Sequence, residues 1–191
     1  MKNACLRELV LKNRSYRRFD GKHRIPMATL RNLVDLARLA PTGGNKQSLR
    51  FRLINRPSQC ALVFPHLAWA GYLEDWKGPV ESERPTAYIV ILNDTRVSNS
   101  PGNDTGIAAQ TLMLGAVEAG LGGCMIGSVS RGALHKKLEL APELQIALVL
   151  ALGKPVESVV LTRVKNNDIR YWRDDTGVHH VPKRSSRELI V

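Results

Sequence analysis

Aromatic residues are scarce in this sequence: three Phe, three Trp and four Tyr, 5% of 191 residues. Nucleic-acid binding through stacked bases leans on aromatic platforms, and no recognisable nucleic-acid motif is present, so that class is disfavoured. Cysteine is equally sparse. Cys5, Cys60 and Cys124 are odd in number and far apart, with no Cys-x-x-Cys or Cys/His ligand spacing to join them. A disulfide framework and a structural zinc site therefore find no support, and reduced thiols suit a cytoplasmic setting. No apolar run reaches membrane-spanning length, and "MKNACLREL" lacks the apolar core of a signal peptide. The expectation is a soluble, intracellular protein. Also missing are a Gly-x-Ser-x-Gly element, a phosphate-binding P-loop and a clear pair of carboxylates. No side chain stands out as a catalytic acid, base or nucleophile. An enzyme built on this sequence takes its chemistry from a cofactor.

What the sequence does have is positive charge. Lys and Arg number 28 against 17 Asp and Glu, a formal net charge of +11. Such a balance favours anionic partners: nucleic acid, an acidic surface or a small phosphorylated ligand. The cations are spread along the chain, which weakens the nucleic-acid reading. Their densest run is "KNRSYRRFD", residues 12–20. A solvated charged loop uses such residues, and so does an anion pocket. Arg14 and Arg17 flank Ser15, so in a turn all three can converge on one anion, with Phe19 as a buried anchor.

The chain is the length of one domain, 1–191, with no repeats and no composition break. Residues 2–12 carry apolar positions at helical spacing. Asp20-Gly21 marks a turn, and Met27 to Ala40 form a helical stripe that stops at Pro41. "TGGNKQS" (42–48) reads as loop, while 51–55 and 86–93 read as strands. Residues 57–85 suggest one or two helices and then a mobile segment, "EDWKGPVESERP". Asp104 or Thr105 can cap a helix through 106–119, with Gly120 as its stop. That helix is rich in Ala and Gly, so a partner helix or a flat ligand packs closely on it. Ser130 opens another helix, 144–153 is a buried strand, "IRYWRDDTGVHHVP" is a hairpin about "DDTG", and "KRSSRELIV" is an extended tail.

Several motifs carry two readings. "APTGGNKQS" (40–48) is a plain interhelix turn, or a backbone that approaches a flat ring while Asn45 and Gln47 read its polar edge. "GLGGCMIGS" (120–128) follows a helix instead of opening one, which rules out the dinucleotide fingerprint. Its glycines suit close contact with something planar. His179 and His180 are adjacent on a strand and point to opposite faces, so they cannot chelate one metal together. Cys124 is best read as a packed thiol.

Taken in order, "NRSYRRF", "LARLAPTGGNKQS", "GIAAQTLMLGAVEAGLGGCMIGS", "LVLALGKP" and "PKRSSRELI" resemble the FMN-dependent nitroreductase family, from about residue 6 to the end. The resemblance implies an α+β, three-layer α/β/α fold with a central, mostly antiparallel sheet flanked by helices. It implies a homodimer with two FMN sites at the interface and C-terminal tails exchanged between subunits. Carried over, it places Arg14, Ser15 and Arg17 around the phosphate and the pyrimidine side of the ring. Pro41, Thr42, Gly43, Asn45 and Gln47 fall on the loop that reaches the flavin bound mainly by the other subunit. Met125, Ile126 and Gly127 fall beside the flavin N5, and Lys183 and Arg184 near the phosphate. Asn13 stands where many relatives have a further Arg, and "QSLRF" departs from the usual aromatic after the loop. The implied activity is ping-pong hydride transfer from NADH or NADPH through FMN to a nitroaromatic, quinone or similar acceptor. A specialised flavoenzyme of the same fold, or a flavin- or nucleic-acid-binding protein without turnover, is the alternative.

Overall fold

In a computed structural model, described for residues 5–191, β2 (Ala87–Asp94) runs through the middle with every residue buried. It pairs antiparallel with β1 (Leu49–Ile54) on one side and β4 (Leu144–Gly153) on the other, and β3 (Gly122–Ile126) closes the far edge, giving the order β1-β2-β4-β3. Successive side chains of a strand face opposite ways. Ile89 and Ile91 join Leu150 and Leu152 on one face, whereas Tyr88, Val90 and Leu92 join Val149 and Ala151 on the other. The first face is covered by α2 (Met27–Arg38) and α4 (Asp104–Glu118). The second is covered by α3 (Pro57–Val63) and α5 (Arg131–Lys137). The result is the expected α+β, three-layer arrangement with an antiparallel central sheet.

Helix α1 (Leu6–Lys12) leads into the basic stretch; of the helix expected over 2–12, residues 2–4 lie outside the described part. Gly120 (φ +72°) ends α4 as expected: Gly120 N–H reaches Val117 O and Leu121 N–H reaches Ala116 O. The small residues of α4 serve α2. A Cβ on Gly115 would lie 2.7 Å from a methyl of Leu36, so that contact is a helix packed within the chain. Asp104 does not cap α4; its Oδ1 accepts the N–H of Gly43 at 2.9 Å.

Two stretches differ from expectation. Segment 74–85 is irregular but pinned: Trp76 packs on the core, Pro79 is buried, and Glu83 pairs with Arg18. The C-terminal region forms a second sheet, β5-β7-β6, from β5 (Val159–Arg163), β6 (Trp172–Arg173) and β7 (His179–Lys183). The expected hairpin joins β6 and β7, closed by Asp174, whose Oδ1 accepts from Thr176 N–H and Val178 N–H. Strand β5, parallel to β7, was not legible in the sequence. The tail was expected to be extended. Instead it turns into α6 (Ser186–Leu189), whose capping box joins Ser185 and Glu188.

Candidate functional site

The basic stretch lies along the free edge of β3. Ser15 forms a bridge with Gly123, and Tyr16 N–H donates to Gly123 O at 2.9 Å. Phe19, fully buried, anchors its far end against Gly153, where a Cβ would come within 2.7 Å of the ring. The Gly122 Cα likewise faces the Tyr16 ring, at 2.6 Å from an added Cβ. The planar partners that the glycine-rich strand accommodates therefore include the chain's own aromatics.

This docking aligns Arg17 with the end of β3. Arg17, Ala68 to Gly71 and Cys124 to Ser128 line a cleft of 150 Å³. Met125 is partly exposed there, while the Ile126 side chain is buried in the core and offers the cleft only its backbone. A Cβ on Gly127 would meet nothing within 4 Å, so the cleft is open beside it. Ala70 on its rim holds a positive φ of 40°, a strained conformation for a residue with a Cβ. Arg14 is tethered nearby by a bond from Nη2 to Val10 O at 2.7 Å, and its buried Nε has no partner.

Behind Arg17 is a polar interior that the sequence reading missed. Glu157, whose side chain is almost wholly buried, accepts the backbone N–H groups of Arg17 and Arg18 and, at 3.0 Å, Arg173 Nη2. The Arg17 guanidinium lies 5.0 Å from the Tyr171 ring centroid, with Nη1 3.4 Å from His179 Nε2. His179 is buried, and burial, then the positive charges of Arg17 and Arg173, push its pKa down to about 4. It is a neutral ring whose Nε2 can accept from Arg17. His180 points to the opposite face, bonded to Asp174 at 2.7 Å and stacked on Trp172. The Cys124 thiol is pushed up by burial, although Arg17 and Ser15 pull the other way; it is a packed thiol. Arg18, the next cation, does not line the cleft. Its fork grips Glu83 with bonds of 2.6 and 2.7 Å.

The loop residues form a different place. Gly44, Asn45 and Gln47 all have positive φ, and the Gln47 amide donates to Asn45. Pro41, Thr42 and Gln47 line a groove of 170 Å³ between the end of α2, the start of β1 and the start of α4, with Gly43 and Asn45 in the adjoining turn. This groove serves the β1 edge of the sheet and the Arg17 cleft the β3 edge, with β2 and β4 between them. Three strand spacings of about 4.8 Å separate them, so the two sets do not meet in one subunit. Lys183 and Arg184 do not converge with Arg14 and Arg17 either. Arg184 donates to Asn167 Oδ1 at 3.0 Å and pairs with Glu188. It lies five residues beyond the His179 that touches Arg17, roughly 16 Å along an extended strand.

Comparison with known proteins places this geometry. The model of the Nitroreductase family matches residues 10–154. Among solved structures, a protein of Exiguobacterium sibiricum 255-15 crystallised in complex with FMN superposes with a TM-score of 0.70 at 20% identity, over 91% of this chain and 99% of that one. An FMN-dependent nitroreductase from Clostridium difficile R20291 gives 0.63 at 18% identity, over 83% and 91%. CLA-ER, an enone reductase of gut-bacterial fatty acid saturation, gives 0.69 at 18%, over 87% and 96%. At these identities the solved structures speak for the fold alone.

Proposed function

From the premise that the chain belongs to the Nitroreductase family, we propose that it is an FMN-dependent oxidoreductase that takes electrons from NADH or NADPH and passes them to a small organic acceptor such as a nitroaromatic or a quinone. The observation that carries the reading is the Arg17 cleft. Arg17, the backbone of Met125 to Gly127 and open space over Gly127 meet beside a strand end, and Arg14, three residues before Arg17, has a buried Nε without a partner. That donor set suits a phosphate at one end and a flat ring at the other. FMN, when bound, supplies hydride exchange at its N5.

The chain's residues have positioning and electrostatic work. Arg14, Ser15 and Arg17 would hold the phosphate and the pyrimidine side, and the two guanidinium charges would favour electron density there. Backbone at Met125 to Gly127 faces the reactive edge. No side chain of the cleft is required as an acid or base: Cys124 is a buried thiol and His179 a neutral ring behind Arg17. Solvent supplies the proton for the product.

A cleft of 150 Å³ is smaller than the roughly 300–1,000 Å³ that encloses a ligand of this size. A second subunit would complete it, bringing Pro41, Thr42, Gly43, Asn45 and Gln47 from its own groove. Apolar side chains support such a homodimer: Leu6, Val10 and Leu11 of α1, Leu39 after α2 and Ile107 of α4 are substantially exposed. The absorbance spectrum of the purified protein tests the proposal. Bound flavin that NADH or NADPH bleaches under anaerobic conditions, and that a quinone restores, is the expected result. A colourless protein that takes up no added FMN would end it.

A further inference from the structure

A third cavity, of 270 Å³, lies between the Gly21 turn, α3 and residues 81–88, and shares no lining residue with the Arg17 cleft. Three polar atoms of its lining residues are buried without a hydrogen-bond partner: Arg84 Nε, Thr86 Oγ1 and the Tyr88 hydroxyl. Thr86 is 3% exposed and Tyr88 not at all. Native proteins pair the great majority of such atoms, so three at one cavity mean that something outside the chain completes them.

Charge narrows the choice. The Arg84 guanidinium lies 4.0 Å from the Phe64 ring centroid; stacking occupies its face and leaves the in-plane N–H groups available. Arg24 also lines the cavity, and among the described residues neither arginine forms an ion pair. Glu81 is the only carboxylate among the lining residues. Two guanidiniums against one carboxylate leave a single positive charge, which matches a monoanion better than a phosphate dianion. The rest of the wall is apolar, from Pro57, Ala61, Phe64 and Pro85. One side of the rim is tight: Gly21 N–H donates to Ser82 O at 2.9 Å, and a Cβ on Gly21 would fall 2.5 Å from that oxygen.

We propose that this cavity binds a small monocarboxylate. Arg24, Arg84 and the hydroxyls of Thr86 and Tyr88 take its oxygens, and its carbon body rests on Pro57, Ala61 and Phe64. Its volume limits the ligand to about the size of benzoate, below the usual range for drug-sized molecules.

The test is calorimetric titration of the full-length protein with benzoate, acetate and inorganic phosphate, in wild type, Tyr88→Phe, Arg84→Gln and Arg17→Ala. Benzoate should bind saturably to wild type and equally to Arg17→Ala. Tyr88→Phe and Arg84→Gln should each weaken it by roughly tenfold to a hundredfold, the usual effect of losing a hydrogen bond to a charged group. Tyr88→Phe removes one oxygen and leaves no hole, so it remains informative if Arg84→Gln misfolds. Three outcomes would overturn the proposal. Absence of saturable benzoate or acetate binding means that the hydroxyls hold water alone. Loss confined to Arg17→Ala puts the anion in the other cleft. Phosphate binding tighter than benzoate in Arg17→Ala, where the other cleft is disabled, removes the carboxylate assignment.

Discussion

The two sheets of this molecule are held together by different physics. The central sheet is apolar on both faces, and β2 is buried from end to end. The C-terminal sheet has half-exposed strands, with Val160, Leu161 and Trp172 each about two-fifths open to solvent, and is fixed by buried charge and aromatic stacking. Glu157 just ahead of β5, Arg173 on β6 and His179 on β7 all converge behind Arg17. The difference teaches where each kind of interior is used. Burying hydrocarbon stabilises a fold without favouring any ligand. A buried carboxylate that fixes two backbone N–H groups and an arginine holds cationic residues in one arrangement.

The largest expected effect contrasts the sheets directly. Leu150→Ala, in the middle of β4 and fully buried, should cost about 2–5 kcal/mol in chemical denaturation. Leu161→Ala on β5 should stay within about 0.5 kcal/mol. Equal losses would erase the distinction. Next comes Glu157→Ala, which strands Arg173 without its partner and should cost about 3 kcal/mol. It should also loosen FMN binding, because it frees the backbone of Arg17 and Arg18. Destabilisation with undiminished FMN affinity would separate the polar interior from the cleft.

Arg17→Ala should weaken FMN roughly 10- to 100-fold, about 1.5–3 kcal/mol, and leave the much weaker binding of riboflavin almost unchanged. Arg18→Ala should spare FMN and cost at most about 1 kcal/mol of stability, since its pair with Glu83 is partly solvated. Equal loss of both ligands in Arg17→Ala would assign the stretch to the ring or the fold. Arg184→Ala in the same titration decides whether the tail joins the phosphate grip. If it does, the affinity falls although Arg184 is remote from Arg17 in its own subunit.

A further effect is one of pH. His179 titrates at about 4 in the fold, against an ordinary 6.5. Between those values the unfolded chain takes up a proton that the folded one refuses. Stability therefore rises with pH across that window, by at most about 1.4 kcal/mol per unit for one proton. His179→Gln should flatten that part of the stability profile. An unchanged slope would mean that His179 is not the group responsible.

Much of the fold was legible because its signals are local. Continuous apolar runs gave β2 and β4, the stripe from Met27 gave α2, and Gly120 marked the end of α4. The basic stretch marked Arg14, Ser15 and Arg17 as a candidate anion site, and Phe19 is the buried anchor it was read to be. Strand β5 escaped because only pairing with β7 makes "VVLTR" a strand. Helix α6 escaped although Ser185 and Glu188 spell a capping box, because four residues give no periodicity to read.

Glu157 and Arg18 mark the limit from the other side. Nothing in "KPVESVV" distinguishes Glu157 from a surface carboxylate, and nothing in the sequence pairs Arg18 with Glu83. Their roles depend on partners 140 and 65 residues away, respectively. The sequence by itself determined most of the elements, the charge and the family motifs, since these rest on the spacing of near neighbours and on residue type. Only the tertiary structure decided which cations are already paired and which are free to hold a ligand. It also decided that the loop at 41–47 and the cleft at Arg17 stand on opposite edges of the sheet. Burial and long-range pairing set both outcomes, and neither leaves a mark in the local order of residues.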